Sequence, residues 1–187
     1  MSAQRARNSS AEISEAKTRA SEKPEASEWD LVMTRVFDAP RALVFKAWTD
    51  TRHVAQWWGP KGFTNPVCEM DVRVGGTIRI HMRAPDGVVY PMTGVFQELV
   101  APERLVFVGS ALDGDGKAMF DVLTTVILAE ERGKTALTLQ LRVIKATAQA
   151  PQYLKGMQAG WTQSLDRLGD HLAETVAESE MASFDSV

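Results

Sequence analysis

Along residues 29–40, WDLVMTRVFDAP, aliphatic and β-branched residues crowd together and give way to Asp38 and Pro40, which suit a helix start. A strand leading into a helix is predicted. Leu43, Val44, Ala47 and Trp48 then recur at helical spacing, and a second short helix from Asp50 to Trp57 is stopped by Gly59 and Pro60. From Pro66 the period changes to two: Cys68, Met70 and Val72 oppose Glu69, Asp71 and Arg73, and Ile78, Ile80 and Met82 oppose Arg79, His81 and Arg83. Half-buried antiparallel strands carry that alternation, with turns at Gly75 and Gly76 and at Pro85, Asp86 and Gly87. Further strands are predicted within VVYPMTGVFQEL, ERLVFVG, MFDVLTTVILAE and TALTLQLRVI, about seven in all with the first. The last change of period sets Met157, Trp161, Leu165, Leu168 and Leu172 on one face of a long helix, with Pro151 near its first turn. Gly156, Gly160 and Gly169 each cost such a helix about 1 kcal/mol relative to alanine, so close packing on the sheet, or failing that room for a ligand, is expected to offset them.

The tails differ from this middle. Residues 1–28 contain one branched aliphatic residue, Ile13, and no aromatic, and are expected to form a disordered leader. Residues 29–174 are the expected folded domain, and the acidic segment 175–187 is expected to be flexible. With 187 residues, 44% of them hydrophobic, one well-buried core is the expectation. The formal net charge of −3 offers no general attraction to phosphate backbones or anionic lipid, so neither nucleic acid nor a membrane is an expected partner. Cys68 is the only cysteine, no apolar run reaches the roughly 20 residues of a membrane helix, and a signal-peptide core is missing from the leader. A cytoplasmic location is expected.

The order of strand, two short helices, six strands and a closing helix resembles the α+β helix-grip fold of START domains, birch-pollen-allergen-like proteins and polyketide cyclases, a superfamily also called SRPBCC. FDAPRALVFKAWTD, WWGPKGF, EMDVRVGG, MRAPDG, TGVFQELVAPERLVF and GWTQSLDRLGDHL resemble, in order and spacing, the domain related to activators of the heat-shock protein 90 ATPase. The resemblance spans about residues 30–172 and implies a curved antiparallel sheet gripping the C-terminal helix over an apolar cavity. It implies much less about activity, because the superfamily hosts binders, cyclases, hydrolases and cochaperone domains. In eukaryotic cochaperone members a large separate domain precedes this one, and here the polar leader occupies that place.

Binding of a small hydrophobic or aromatic molecule is therefore the leading expectation. Its candidate contacts are Trp57, Trp58 and Phe63 where the helices approach the sheet, Ile80, Met82, Met92, Phe96 and Phe107 on strands, and Trp161 and Leu165 on the last helix. Every one of these residue types also suits a plain core. The alternatives are a cyclase-like or hydrolase-like acid/base enzyme and a chaperone-interacting module. For the enzyme, His81 is the histidine on a confident strand, but its parity with Arg79 and Arg83 turns it outward. His53 sits on a short polar helix face and His171 near a helix C-terminus, where a cation needs no catalytic explanation. An Asp71–Arg73 pair or Asp121 would have to be buried to polarise a ligand carbonyl. Cys68 shares a face with Met70 and reads as an inert thiol. No metal-ligand spacing and no phosphate-cradling loop is present, so neither metal nor cofactor is expected. Sheet edges leave homodimerisation open.

Overall fold

The computed structural model describes residues 28–184; the expected leader, apart from Glu28, lies outside the described residues, as do 185–187. β1 (Leu31–Phe37) leads into α1 (Arg41–Thr49) and α2 (Thr51–Trp57). Six strands follow: β2 (Thr64–Met70), β3 (Thr77–Arg83), β4 (Val89–Val100), β5 (Arg104–Leu112), β6 (Ala118–Glu131) and β7 (Lys134–Ala146). A short α3 (Pro151–Leu154) and the long α4 (Met157–Phe184) close the chain. The strands form one antiparallel seven-stranded sheet in the order β1-β7-β6-β5-β4-β3-β2, so only the β1–β7 pairing joins elements distant in sequence. This is the curved α+β arrangement that the element order implied.

One face of the sheet is covered and the other open, and the alternation follows from the pleat. On β7 Thr135, Leu137, Leu139 and Leu141 are buried, and on β6 Val122, Thr124, Val126 and Leu128 are buried with them. Against this face lie Val44, Ala47 and Trp48 of α1, Val54 and Trp57 of α2, and Leu165, Leu168 and Leu172 of α4. α2 starts at an Asp50 cap whose carboxylate accepts from the Arg52 amide. Asn65 Nδ2 donates to the Ala55 and Trp58 carbonyls near the helix's end.

Three expectations change. The β2 alternation stops at Met70, leaving Val72 exposed, because the chain turns back: Asp71 N–H donates to the Thr77 carbonyl and Gly76 N–H to that of Arg73. A Cβ on Gly76 would lie 1.9 Å from the Asp71 carbonyl oxygen, so only glycine fits there. The closing helix is two pieces, broken at Lys155 and Gly156, whose amides make the i→i−4 and i→i−3 bonds of a frayed end. α4 also runs on to Phe184, into the segment expected to be flexible. The apolar stripe gains one further turn at the half-buried Val176, and the alanines and glutamates beyond it are strong helix formers whatever their polarity.

Candidate functional site

Where α4 begins, it stands clear of the sheet. The space between them is a cavity of about 460 Å³. Met82 of β3, Tyr90 and Met92 of β4, Phe107 of β5 and Phe120, Val122 and Thr124 of β6 line it from the sheet. Trp58, Pro60 and Phe63 close one side from the segment after α2. Gln152, Tyr153, Gly156, Met157, Gly160, Trp161 and Ser164 close the other from the α3–α4 corner. Among the described residues the lining includes no aspartate, glutamate, lysine, arginine or histidine.

Six of the sequence candidates are thus brought together here: Trp58, Phe63, Met82, Met92, Phe107 and Trp161. Four are not. Trp57, Ile80, Phe96 and Leu165 are at most 1% exposed and belong to the solid core, because strand parity and helical spacing choose a face without saying how far along it a side chain sits. The Trp57 indole is committed to the Ala47 carbonyl at 2.9 Å.

An indole cluster forms the boundary between core and cavity. Trp58 and Trp161 meet edge to face at 5.2 Å between ring centroids, and behind them Trp48 stacks on Trp161 at 6.0 Å and meets Trp57 at 4.7 Å. These geometries suit the aromatic quadrupole. Trp48 is buried with its indole N–H unpartnered.

Sequence reasoning did not single out the residue that holds this wall. Arg167 of α4 donates from Nη1 to the carbonyls of Trp58, Gly59 and Pro60 and from Nη2 to that of Gln56. The guanidinium therefore ties the end of α2 and the cavity-lining turn to α4, and burial lowers its pKa. Gln163 adds a bond from the Lys61 amide to its side-chain oxygen. The signal in the sequence is a polar row, Ser164, Arg167 and His171, beside the apolar stripe at the same helical spacing.

With this geometry in view, the model of the activator of Hsp90 ATPase homolog 1-like family matches residues 38–173, well over half of the chain. The chain belongs to that family. Among solved structures, a Chromobacterium violaceum protein is 30% identical over 78% of this chain and 98% of its own, with a TM-score of 0.66. The AHSA1 protein of Silicibacter pomeroyi is 25% identical over 78% and 99% of the two chains, with a TM-score of 0.66. A protein from Arthrobacter aurescens, 23% identical over 82% and 93%, shares the fold with a TM-score of 0.69. No curated protein matches the chain.

None of the groups weighed for acid/base chemistry in this family member is itself a cavity-lining residue. His81 sits on β3 between Ile80 and Met82 and opposite Pro91, and it does not line the cavity. Asp121 alternates with the lining residues Phe120 and Val122 and accepts a 2.6 Å hydrogen bond from Ser110 Oγ. Asp71 and Arg73 pair with each other at 2.7 Å in an exposed turn. The Cys68 thiol is pushed up to about 11, first by burial and then by Glu69, which keeps it protonated and weakly nucleophilic at neutral pH. His53 Nδ1 and His171 Nε2 meet at 2.8 Å between α2 and α4. Among the described residues no group of three or more histidine, cysteine, aspartate or glutamate side chains is placed to hold a metal ion, and no helix is long and apolar enough to cross a membrane.

Proposed function

We propose that this chain binds a small, uncharged, largely apolar or aromatic molecule in the cavity between the sheet and the start of α4. The observation that carries the reading is a volume of about 460 Å³ walled by indole, phenyl and methionine side chains without one formal charge. Small-molecule sites typically occupy about 300–1,000 Å³ and are mostly apolar with a few polar groups. Methionines such as Met82, Met92 and Met157 adapt to varied shapes, and Trp58 and Trp161 offer rings for stacking. A carboxylate, phosphate or ammonium group on the ligand would lose its hydration here and meet no counter-charge.

For the acid/base alternative, the lining holds two titratable side chains, Tyr90 and Tyr153, and the latter is 40% exposed at the rim. A chaperone partner has the family description as its support. Native mass spectrometry of protein purified from its own host, with release and identification of what it carries, tests the binding reading. An apolar or aromatic molecule at one per chain is expected. An empty protein that a broad library of neutral aromatic and lipid compounds fails to stabilise against heat would overturn it.

A further inference from the structure

The polar groups of the cavity are unequal in what they have left to offer. Ser110 is committed to Asp121, and Ser164 Oγ donates to the Gly160 carbonyl one turn back along α4. Gln152 and Tyr153 are exposed at the mouth, and Tyr90, whose hydroxyl is also uncommitted, is only half-buried beside Phe63. Thr124 is different. It stands in the middle of β6, cross-strand from Phe107, and is 2% exposed. Its hydroxyl takes part in no hydrogen bond within the described residues and is not among the buried polar atoms sealed off without a partner, so the cavity is what it faces. An uncommitted hydroxyl held that deep is a standing cost that a suitable ligand removes.

We infer that Thr124 is the specificity-determining residue of the cavity and that the ligand class is a neutral aromatic or polycyclic molecule carrying a carbonyl oxygen at its inner end, which accepts a hydrogen bond from the Thr124 hydroxyl. This rests on the binding function proposed above and adds to it the polarity and orientation of the ligand. The apolar wall takes the ring system, and the charge-free lining excludes an acid, a phosphate or an amine. A hydrocarbon of equal shape leaves the hydroxyl unpaired and forgoes the discrimination that a polar contact brings. The neighbouring Thr125, also buried at 8%, alternates to the other face of the sheet and takes no part.

Fluorene and 9-fluorenone are flat molecules of one shape that differ by a single carbonyl, which makes them a matched pair of probes. Equilibrium dialysis against the full-length protein and its Thr124→Val variant gives four dissociation constants, and comparing their ratios cancels the difference in water solubility of the probes. The wild-type preference for fluorenone over fluorene is expected to fall on the order of tenfold in Thr124→Val, whereas Thr124→Ser keeps it. Thr124→Val should melt no lower than the wild type, because a methyl group replaces an unpaired hydroxyl; if it does not fold, Thr124→Ala supplies the same contrast. Binding of both probes with an unchanged ratio overturns this inference alone. No binding of either probe to the wild type overturns this inference, while the cavity reading stands or falls on the native mass spectrometry and the ligand library.

Discussion

The two halves of α4 cover the same sheet in opposite ways. From Leu165 to Leu172 the helix presents leucines that are at most 2% exposed, set against Phe37, Leu139, Leu141 and the α1–α2 side chains. From Met157 to Ser164 it presents a methionine, a glycine and a tryptophan to an open space, with Gly156 just ahead of its first turn. Packing at one end fixes the helix, and the small residues at the other leave room under it. The largest consequence is an asymmetry in stability. Leu168→Ala, at the packed end, is expected to cost about 2–5 kcal/mol in denaturant unfolding, because the cavity it creates cannot fully collapse. Met92→Ala, at the open end, loses contacts already incomplete and should cost well under half as much. Equal losses would show that the space is filled by rearrangement rather than held open.

Between the halves stands the polar clasp. Arg167→Ala removes the donor to four backbone carbonyls and is expected to destabilise by about 2 kcal/mol, with Arg167→Lys recovering only part, since an ammonium group cannot span that fork. The same variant should also shift tryptophan emission, because the Trp58 segment is what Arg167 holds. A stability loss with unchanged emission would mean that Asn65 and the indole contacts position the wall without it.

One turn further along, the His53–His171 contact adds a smaller, pH-dependent effect. A single proton serves the 2.8 Å Nδ1···Nε2 bond, so charging both rings opposes it. Burial, then His53, lowers the His171 pKa, while Glu174 and Glu178 pull upward without prevailing; Asp50 lies close to His53 on the α2 side. A histidine depressed in the folded state is protonated more readily when unfolded. Its contribution is therefore complete above the unfolded value near 6.5 and lost as pH falls from there through the lower folded value. The wild-type melting temperature should drop between pH 7.5 and 5 by more than that of His171→Asn. Parallel profiles for the two proteins would assign the acid sensitivity to other groups.

Periodicity made the sheet, the two short helices and the leucine stripe legible, because each depends on which face a residue occupies. It could not separate Met82 from Ile80, or Trp58 from Trp57, since these pairs differ in depth and neighbours rather than in pattern. Depth along the face is set by where α4 begins and how Arg167 draws the α2 turn against it, both tertiary facts. Thr124 did leave a trace: it is a polar residue at a position whose parity matches Val122 and Val126. The end of α4 was hidden because acidic composition resembles that of a disordered tail, while Ala and Glu are also among the best helix formers.

The glycines supply the finest division between the halves. Close packing on the sheet, ahead of room for a ligand, was the expected reason for all three; at Gly169 a Cβ would meet the Phe37 ring at 3.5 Å, an ordinary contact that sets the helix against the sheet without demanding glycine. Gly156 and Gly160 instead border the cavity. A Cβ at Gly160 would come 3.7 Å from Pro60 Cγ, an ordinary contact, so no steric demand requires glycine there. Gly160→Ala should consequently stabilise the fold by about 0.5–1 kcal/mol through the lower entropy of the unfolded chain. The added methyl group would also intrude beside Trp161, so fluorenone should bind a few-fold more weakly even as the melting temperature rises. A gain in stability with unchanged binding would place the ligand against the sheet, away from the helix.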